Sequence, residues 1–343
     1  MATLRDLSKH LGISVTQVSR ALNGHDDVSE ATKERVREGA RALGYSANLS
    51  ARMLKSGRSG IVAMVIDAAA ERDVPDVLMA GVIGLSTVFA RRDTQLILHA
   101  MPEGADAVDT HAKLARSGLI EGFIIVNPQT PTDARIRFLT DEAVPFAVHG
   151  RNQPAPDYPF VDIDNRAVGQ MLTSHLIALG HRRIALVDGP SGAAFSAARV
   201  CGYRAALEAA GLTFDPRLVH QAPMTELIGR QIMAGLLDAP ALPTAVIAGN
   251  TMLAAGVYAA ISERGLRVGT DISVVAHDDG LPRLPSADFT PALTVTESAI
   301  ANAFDPLADV LLARIADRTA AAQSRMLPVH LVQRDSAHPP ARR

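Results

Sequence analysis

Apolar positions recur every third or fourth residue through the first 45 residues, then change to short unbroken runs after residue 60. Leu4, Leu7 and Leu11 share one helical face, with Thr3 placed as N-cap, Asp6 three residues on, and Gly12 as the stop. Ser14-Val15-Thr16-Gln17 has the capping-box form, so a second helix opens almost at once. Two helices joined this closely through a glycine make a helix-turn-helix. On the second helix Val18 and Leu22 face inward, whereas Thr16 and Arg20 point to the other side. A third helix is predicted to open at Ser29 and to pack through Val36, Ala40 and Leu43 before Gly44.

From Ile61 the period changes to alternating strands and helices. Strands are predicted at residues 61–66, 95–98, 122–126 and 145–148, separated by amphipathic stretches such as 77–91 and 132–142. A second set follows at 184–187, 218–221, 245–248 and 273–276, with helices near 166–179, 197–210, 226–237 and 252–264. The fold class is α/β: two doubly wound parallel halves flanking a boundary near residue 160. Ligands of such sheets bind outside the carboxyl ends of the strands, which puts the expected pocket between the halves.

Composition removes several classes. The 343 residues are 48% hydrophobic with 34 Lys and Arg against 36 Asp and Glu, too apolar for a disordered chain. One cysteine, Cys201, excludes a disulfide scaffold and suits a cytoplasmic protein. No apolar run approaches the roughly 18 residues of a membrane span. Arg5, Asp6, Lys9 and His10 interrupt any secretory leader. The near-neutral balance hides a gradient: residues 1–60 hold ten bases and six acids, net +4, leaving 24 bases and 30 acids, net −6, for the rest. A basic head suggests a polyanion partner, although +4 alone equally fits a solvated surface.

The run Thr3 to Lys9, the run Gly12 to Asn23, the run Val28 to Val36 and Leu43-Gly44-Tyr45 resemble the head of the lactose-repressor-type (LacI/GalR) transcription regulators. The resemblance implies a helix-turn-helix DNA-binding domain over 1–46 and a hinge helix with linker over 47–60. It places Val15, Thr16 and Arg20 against base edges in the major groove of double-stranded, pseudo-palindromic operator DNA. Arginine can hold guanine O6 and N7 bidentately, which makes Arg20 the strongest base reader. Thr3, Ser14, Gln17, Ser19, Asn23, Ser29, Thr32, Asn48 and Lys55 match phosphate positions, and Leu54 matches a leucine wedged into the minor groove. Ala47 stands where the family has proline. Substituting Lys55 should weaken binding to every sequence and flatten its salt dependence.

The resemblance continues through His175 to Pro190, Asp164-Asn165, Arg199 to Tyr203, Asp271 to Val275, Pro291 to Thr294 and Gln333 to Ser336. It implies a periplasmic-binding-protein-like body over 61–343 for effector binding and dimerisation. Its N-subdomain would take about 61–158 and 291–318, and its C-subdomain about 159–290 and 319–336. Arg199 and Asp278 fall on the family's effector-gripping arginine and aspartate. Asn250 falls on a further polar contact, and Phe195 and Met224 on lining positions. Read alone, Arg199 could as well be a surface helix residue and Phe195 core. Asp67, at the end of the first strand, joins them by position. His149-Gly150-Arg151, Asp162 to Asn165, Met224-Thr225-Glu226 and His277-Asp278-Asp279 resemble the branch controlling α-glucoside use, which adds His149, Arg151, Asp162 and Glu226 to the effector set. A mono- or disaccharide is therefore expected. Three departures stand out: Gly150 for a common aspartate, Ala193 for the basic residue of purine-binding relatives, and Arg72 to Pro75 for an aromatic segment.

The family mechanism implies a homodimeric repressor under allosteric control, and the tail after Arg334 has no leucine heptads for a tetramer. A periplasmic solute-binding protein is the rival from another class, and the head speaks against it. An enzyme is not expected. Consecutive His277, Asp278 and Asp279 cannot all converge on one metal, Gly189-Pro190-Ser191-Gly192 lacks a phosphate loop's lysine, and no cofactor or membrane partner is implied.

Overall fold

The computed structural model describes residues 2–22, 25–45, 58–68, 75–319 and 321–341. Asn23 and the hinge positions Ala47, Asn48, Leu54 and Lys55 lie outside them. The chain forms two compact units, Met1–Ser59 and Gly60–Arg343.

The head holds α1 (Leu4–Leu11), α2 (Val15–Leu22) and α3 (Glu30–Ala42). Thr3 and Asp6 complete a reciprocal capping box, with Thr3 N donating to Asp6 Oδ2 at 2.8 Å. Gly12 ends α1 at φ 65°, a left-handed turn that costs glycine nothing. Ser14 Oγ accepts from Gln17 N at 3.1 Å, opening α2 as its sequence predicts. Leu7, Val18, Ala21, Val28 and Val36 form the core between the three helices. Ser29 Oγ caps α3 by accepting from Thr32 N. Ser29→Ala should lower the head's stability by about 1 kcal/mol and Ser29→Gly by only a few tenths, read by helical melting. Equal losses would contradict a capping role.

The body contains two six-stranded sheets. The first has the order β11 (Ser324–Leu327), β5 (Phe160–Ile163), β4 (Phe146–His149), β3 (Gly122–Val126), β1 (Ile61–Asp67), β2 (Gln95–Met101), all parallel. The second has the order β12 (His330–Val332), β10 (Thr294–Glu297), β9 (Ser273–Asp278), β8 (Ala245–Ala248), β6 (Ile184–Asp188), β7 (Val219–Gln221), parallel except for β12. Helices α4 (Pro75–Ala90), α5 (Ala107–Arg116), α6 (Ala134–Asp141) and α11 (Phe304–Ala316) go with the first sheet. Helices α7 (Asn165–Ala178), α8 (Ala194–Ala209), α9 (Glu226–Leu237) and α10 (Thr251–Glu263) go with the second.

The crossings lie a few residues later than the expected 158, 290 and 318. Phe160 pairs with Val148, so residues 160–163 complete the first sheet and the chain crosses after Ile163. Val295 pairs with Ala276, so 294–297 belong to the second sheet, and α11 then returns to the first. Ser324 pairs with Phe160, so the last crossing falls between Leu327 and His330. The physical reason is that a short strand stays with the neighbour that satisfies its N–H and C=O groups. These strands are only three or four residues long and interrupted by Asp162, Thr296 or Arg325, which hides them from a search for apolar runs.

Candidate ligand cleft and helix-turn-helix surface

The carboxyl ends of both sheets face one cavity of about 180 Å³. Its polar wall comes from His149 closing β4, Arg151, Asp162 on β5, Asn165 opening α7, Arg199 on α8 and Asp279 just past β9. Its apolar wall comes from Met64, Leu78, Leu85, Phe304, Leu307 and Leu327, with Phe195 and Met224 at the second sheet's edge. A Cβ on Gly189 would stand 2.5 Å from the Phe195 ring, so any side chain there would have to displace that ring. Gly150 sits at φ 103° with Pro128 3.1 Å from where a Cβ would be, so the aspartate common at this position does not fit.

Arg199 organises the polar wall. Its Nε donates to Asn165 Oδ1 at 2.9 Å and its Nη1 to Gly249 O at 2.7 Å, while Asp188 Oδ1 lies 3.5 Å away. The guanidinium also lies over the Phe195 ring, 5.2 Å from its centroid. Burial raises the Asp188 carboxyl, with Arg199 opposing. Asp279 is partly buried, and His277, Arg199 and His149 outweigh its desolvation and hold it below the usual carboxylate range. His277 Nε2 lies 3.3 Å from Asp279 Oδ1, without the alignment of a hydrogen bond. Burial lowers His149, partly offset by Asp279. Ser298 Oγ, on the cavity wall, has no hydrogen-bond partner among the described residues.

Asp162 accepts from Arg151 Nε at 3.1 Å, Asn165 Nδ2 at 3.2 Å and Ile163 N at 2.8 Å, yet burial pushes its carboxyl up to about 7. A carboxyl raised on folding contributes stability in full below its unfolded value near 3.8, and loses it as pH climbs to about 7. Wild type should therefore lose stability relative to Asp162→Asn between pH 4.5 and 7 and level off above. A difference constant with pH in denaturant titrations would contradict this.

Of the ten effector positions expected from sequence, six line the cavity: His149, Arg151, Asp162, Phe195, Arg199 and Met224. Four do not. Asp67 is exposed at the end of β1, and Glu226 is exposed in the first turn of α9. Asn250 is fully buried and caps α10 by accepting from Leu253 N at 2.9 Å, its Nδ2 without a hydrogen-bond partner among the described residues. Asp278 turns away, accepting from Gly280 N at 2.8 Å and Ser286 N at 3.4 Å, and Asp279 lines the cavity instead. An Asp-x-Gly turn signature at 278–280 marks that role in the sequence. Asn165, Asp188 and Ser298 were not singled out. Asn165 has a sequence signal, since it follows the α7 cap Asp164, whereas Asp188 acts only through Arg199.

A backbone bridge joins the two halves beside the cavity. Ala194 N donates to Pro128 O and Thr130 N to Gly192 O, both at 3.0 Å. The N-cap of α8 is Ala193, which has no side chain able to cap. Pro128 of the first half therefore satisfies one of the opening N–H groups of the helix that carries Arg199.

On the head, Val15, Thr16 and Arg20 are all exposed on α2. The expected phosphate positions Thr3, Ser14, Gln17, Ser29 and Thr32 cluster at the openings of the three helices, where N–H groups and the helix dipole favour anions. Ser19 is partly buried on α2.

Residues 3–48 match the family described as "Bacterial regulatory proteins, lacI family", and residues 173–337 match "Periplasmic binding protein-like domain". The HTH-type transcriptional regulator AglR of Rhizobium meliloti is 38% identical over 98% of this chain and 94% of its own. The HTH-type transcriptional regulator CelR of Thermobifida fusca is 30% identical over 97% of this chain and 98% of its own. A solved CelR–cellobiose complex superposes with TM-score 0.69 at 29% identity, covering 98% of this chain and 100% of that one. The fold is also that of the lac repressor dimer bound to operator and the anti-inducer ONPF, with TM-score 0.80 at 24% identity over 98% and 99% of the two chains. No helix among the described residues is long and apolar enough to cross a membrane.

Proposed function

The chain belongs to the lacI family of bacterial regulatory proteins and is a DNA-binding transcriptional regulator; we propose that it is a cytoplasmic homodimeric repressor whose effector is a mono- or disaccharide held between the halves of the body. It acts by binding, without catalysis. Val15, Thr16 and Arg20 read bases, while the hinge segment with Leu54 responds to cleft closure.

The observation that carries the ligand class is the two-walled cavity. A saccharide presents a rim of hydroxyls and apolar C–H faces. The forked donors of Arg151 and Arg199 and the acceptors Asp162 and Asp279 suit the rim, and Phe195, Met224 and Leu307 suit the faces. The solved complex of CelR with cellobiose supports the same class. Within it, an α-glucoside is the reading the sequence resemblance favours. A thermal-shift series over mono- and disaccharides, purine nucleosides and amino acids tests this, and the largest shift should come from an α-linked disaccharide. A purine producing the largest shift would overturn it.

Two neighbouring carboxylates give a sharper check. Asp279→Asn should weaken saccharide binding about tenfold, because a hydrogen bond to a charged acceptor is lost in the cavity. Asp278→Asn should leave affinity near wild type and lower stability instead, since Asp278 serves its own turn. Calorimetry on both variants distinguishes them, and the reverse order of effects would contradict the assignment.

A further inference from the structure

The recognition arginine is already engaged in the head. Arg20 Nε donates to Asp27 Oδ1 at 3.1 Å and Nη2 stands 2.5 Å from Asp27 Oδ2 as an ion-pair contact, with Asp27 in the connection between α2 and α3. The carboxylate thus lies along the Nε–Nη2 edge, a side-on approach to the guanidinium. Side chains of both residues are about half exposed, at 45% and 52%, so the pair stands in solvent on the surface that carries Val15 and Thr16. Among the described residues Arg20 has no other side-chain partner.

We propose that Asp27 is a positioning residue for base readout: by taking the Nε edge of Arg20 it leaves the end-on Nη fork aimed outward and fixes the guanidinium plane. This rests on the reading of Arg20 as the base-contacting residue. Arginine has five N–H donors in a rigid plane, and Asp27 takes up its Nε side through one hydrogen bond and one ion-pair contact. The remaining end-on pair matches the parallel O6 and N7 acceptors of one guanine, whereas adenine places a donor at the O6 position. A free Arg20 could swing about its flexible stem to the nearest phosphate, where it would add affinity without information. The carboxylate works against that escape twice, by holding the plane and by placing a negative charge beside the backbone. Asp27 thus shifts Arg20 from general affinity to discrimination between guanine and adenine.

The test uses the full chain and a sequence enriched by it from a random duplex pool, with every single-base variant then measured by fluorescence anisotropy at several salt concentrations. Arg20→Ala should flatten preference at one base pair per half-site, which locates the position it reads. Asp27→Asn, which keeps the shape and removes the charge, should reduce the guanine-over-adenine ratio at that same position about fivefold to tenfold. It should also tighten binding to unrelated duplex and steepen the logarithmic salt slope by about one per freed arginine. Asp27→Glu should restore part of the ratio, an effect no loss of folding would produce. Wild-type discrimination in Asp27→Asn at the position flattened by Arg20→Ala overturns the positioning role and leaves the reading of Arg20 intact. An Arg20→Ala variant that flattens no position overturns both.

Discussion

Replacing Arg199 with methionine should lower the body's unfolding free energy by roughly 3–5 kcal/mol and abolish the saccharide-induced thermal shift. The stability loss comes from what the arginine leaves behind. Asp188 is fully buried, its Oδ1 meets Arg199 and Gly189 N, and its Oδ2 has no hydrogen-bond partner among the described residues, so removing the cation strands a carboxylate held by one backbone N–H. Asn165 Oδ1 and Gly249 O lose their donor at the same time. The stranded Asp188 can escape only by holding a proton more tightly, so the penalty should grow as pH rises. Pairing the change with Asp188→Asn should recover a large part of the stability, because a neutral amide costs far less to bury than an unpaired charge. The binding loss has a separate origin, as Arg199 also forms the cavity wall. The double variant should therefore regain stability without regaining ligand binding. A single variant within about 1 kcal/mol of wild type in urea titrations would contradict the account, since that is the range of surface pairs.

Gly202→Ala is the second large effect. Helices α7 and α8 touch backbone to backbone. A Cβ on Gly202 would stand 2.0 Å from Arg166 O, and one on Gly169 would stand 2.1 Å from Arg199 O. Neither neighbour is a side chain that could swing away, so the helices must separate and carry Arg199 and Asn165 with them. The expected loss is about 3 kcal/mol, at the upper end of overpacking costs, together with weaker saccharide binding. Gly235→Ala on α9 is the control, because nothing lies within 4 Å of its Cβ position. There the same substitution should stabilise by roughly 0.5–1 kcal/mol. Losses of equal size at both sites would show that backbone contact is not the cause.

The head is legible because its signals are local. Thr3, Gly12, Ser14 and Ser29 each act on residues three or four positions away, and each caps or ends a helix as its sequence context predicts. The strands of the body are legible where they are apolar, as at 122–126 and 245–248. They are not legible where a strand is only four residues long and broken by a polar side chain, as at 160–163, 294–297 and 324–327, because membership there is decided by pairing, with a neighbour 12 to 19 residues upstream for the first two and more than a hundred residues away for the third. The cleft follows the same division. Arg199, Phe195 and Met224 line the cavity as the resemblance implies. The exchange between Asp278 and Asp279 depends on which carboxylate the turn at Gly280 captures, a choice made over two residues by backbone geometry. The pairing of Arg20 with Asp27 spans seven residues and a loop, so helical periodicity does not show it.

The central claim is that one chain couples a DNA-reading head to a saccharide cleft, and thermodynamic linkage makes that claim measurable. Operator affinity should be determined with and without saturating saccharide, and saccharide affinity with and without saturating operator, in one buffer at one salt concentration. The account predicts that saccharide changes operator affinity and that operator changes saccharide affinity by the same factor in the same direction, with both changes lost in Arg199→Lys. Saccharide binding that leaves operator affinity unchanged, or saccharide affinity that is identical with and without operator, would contradict it.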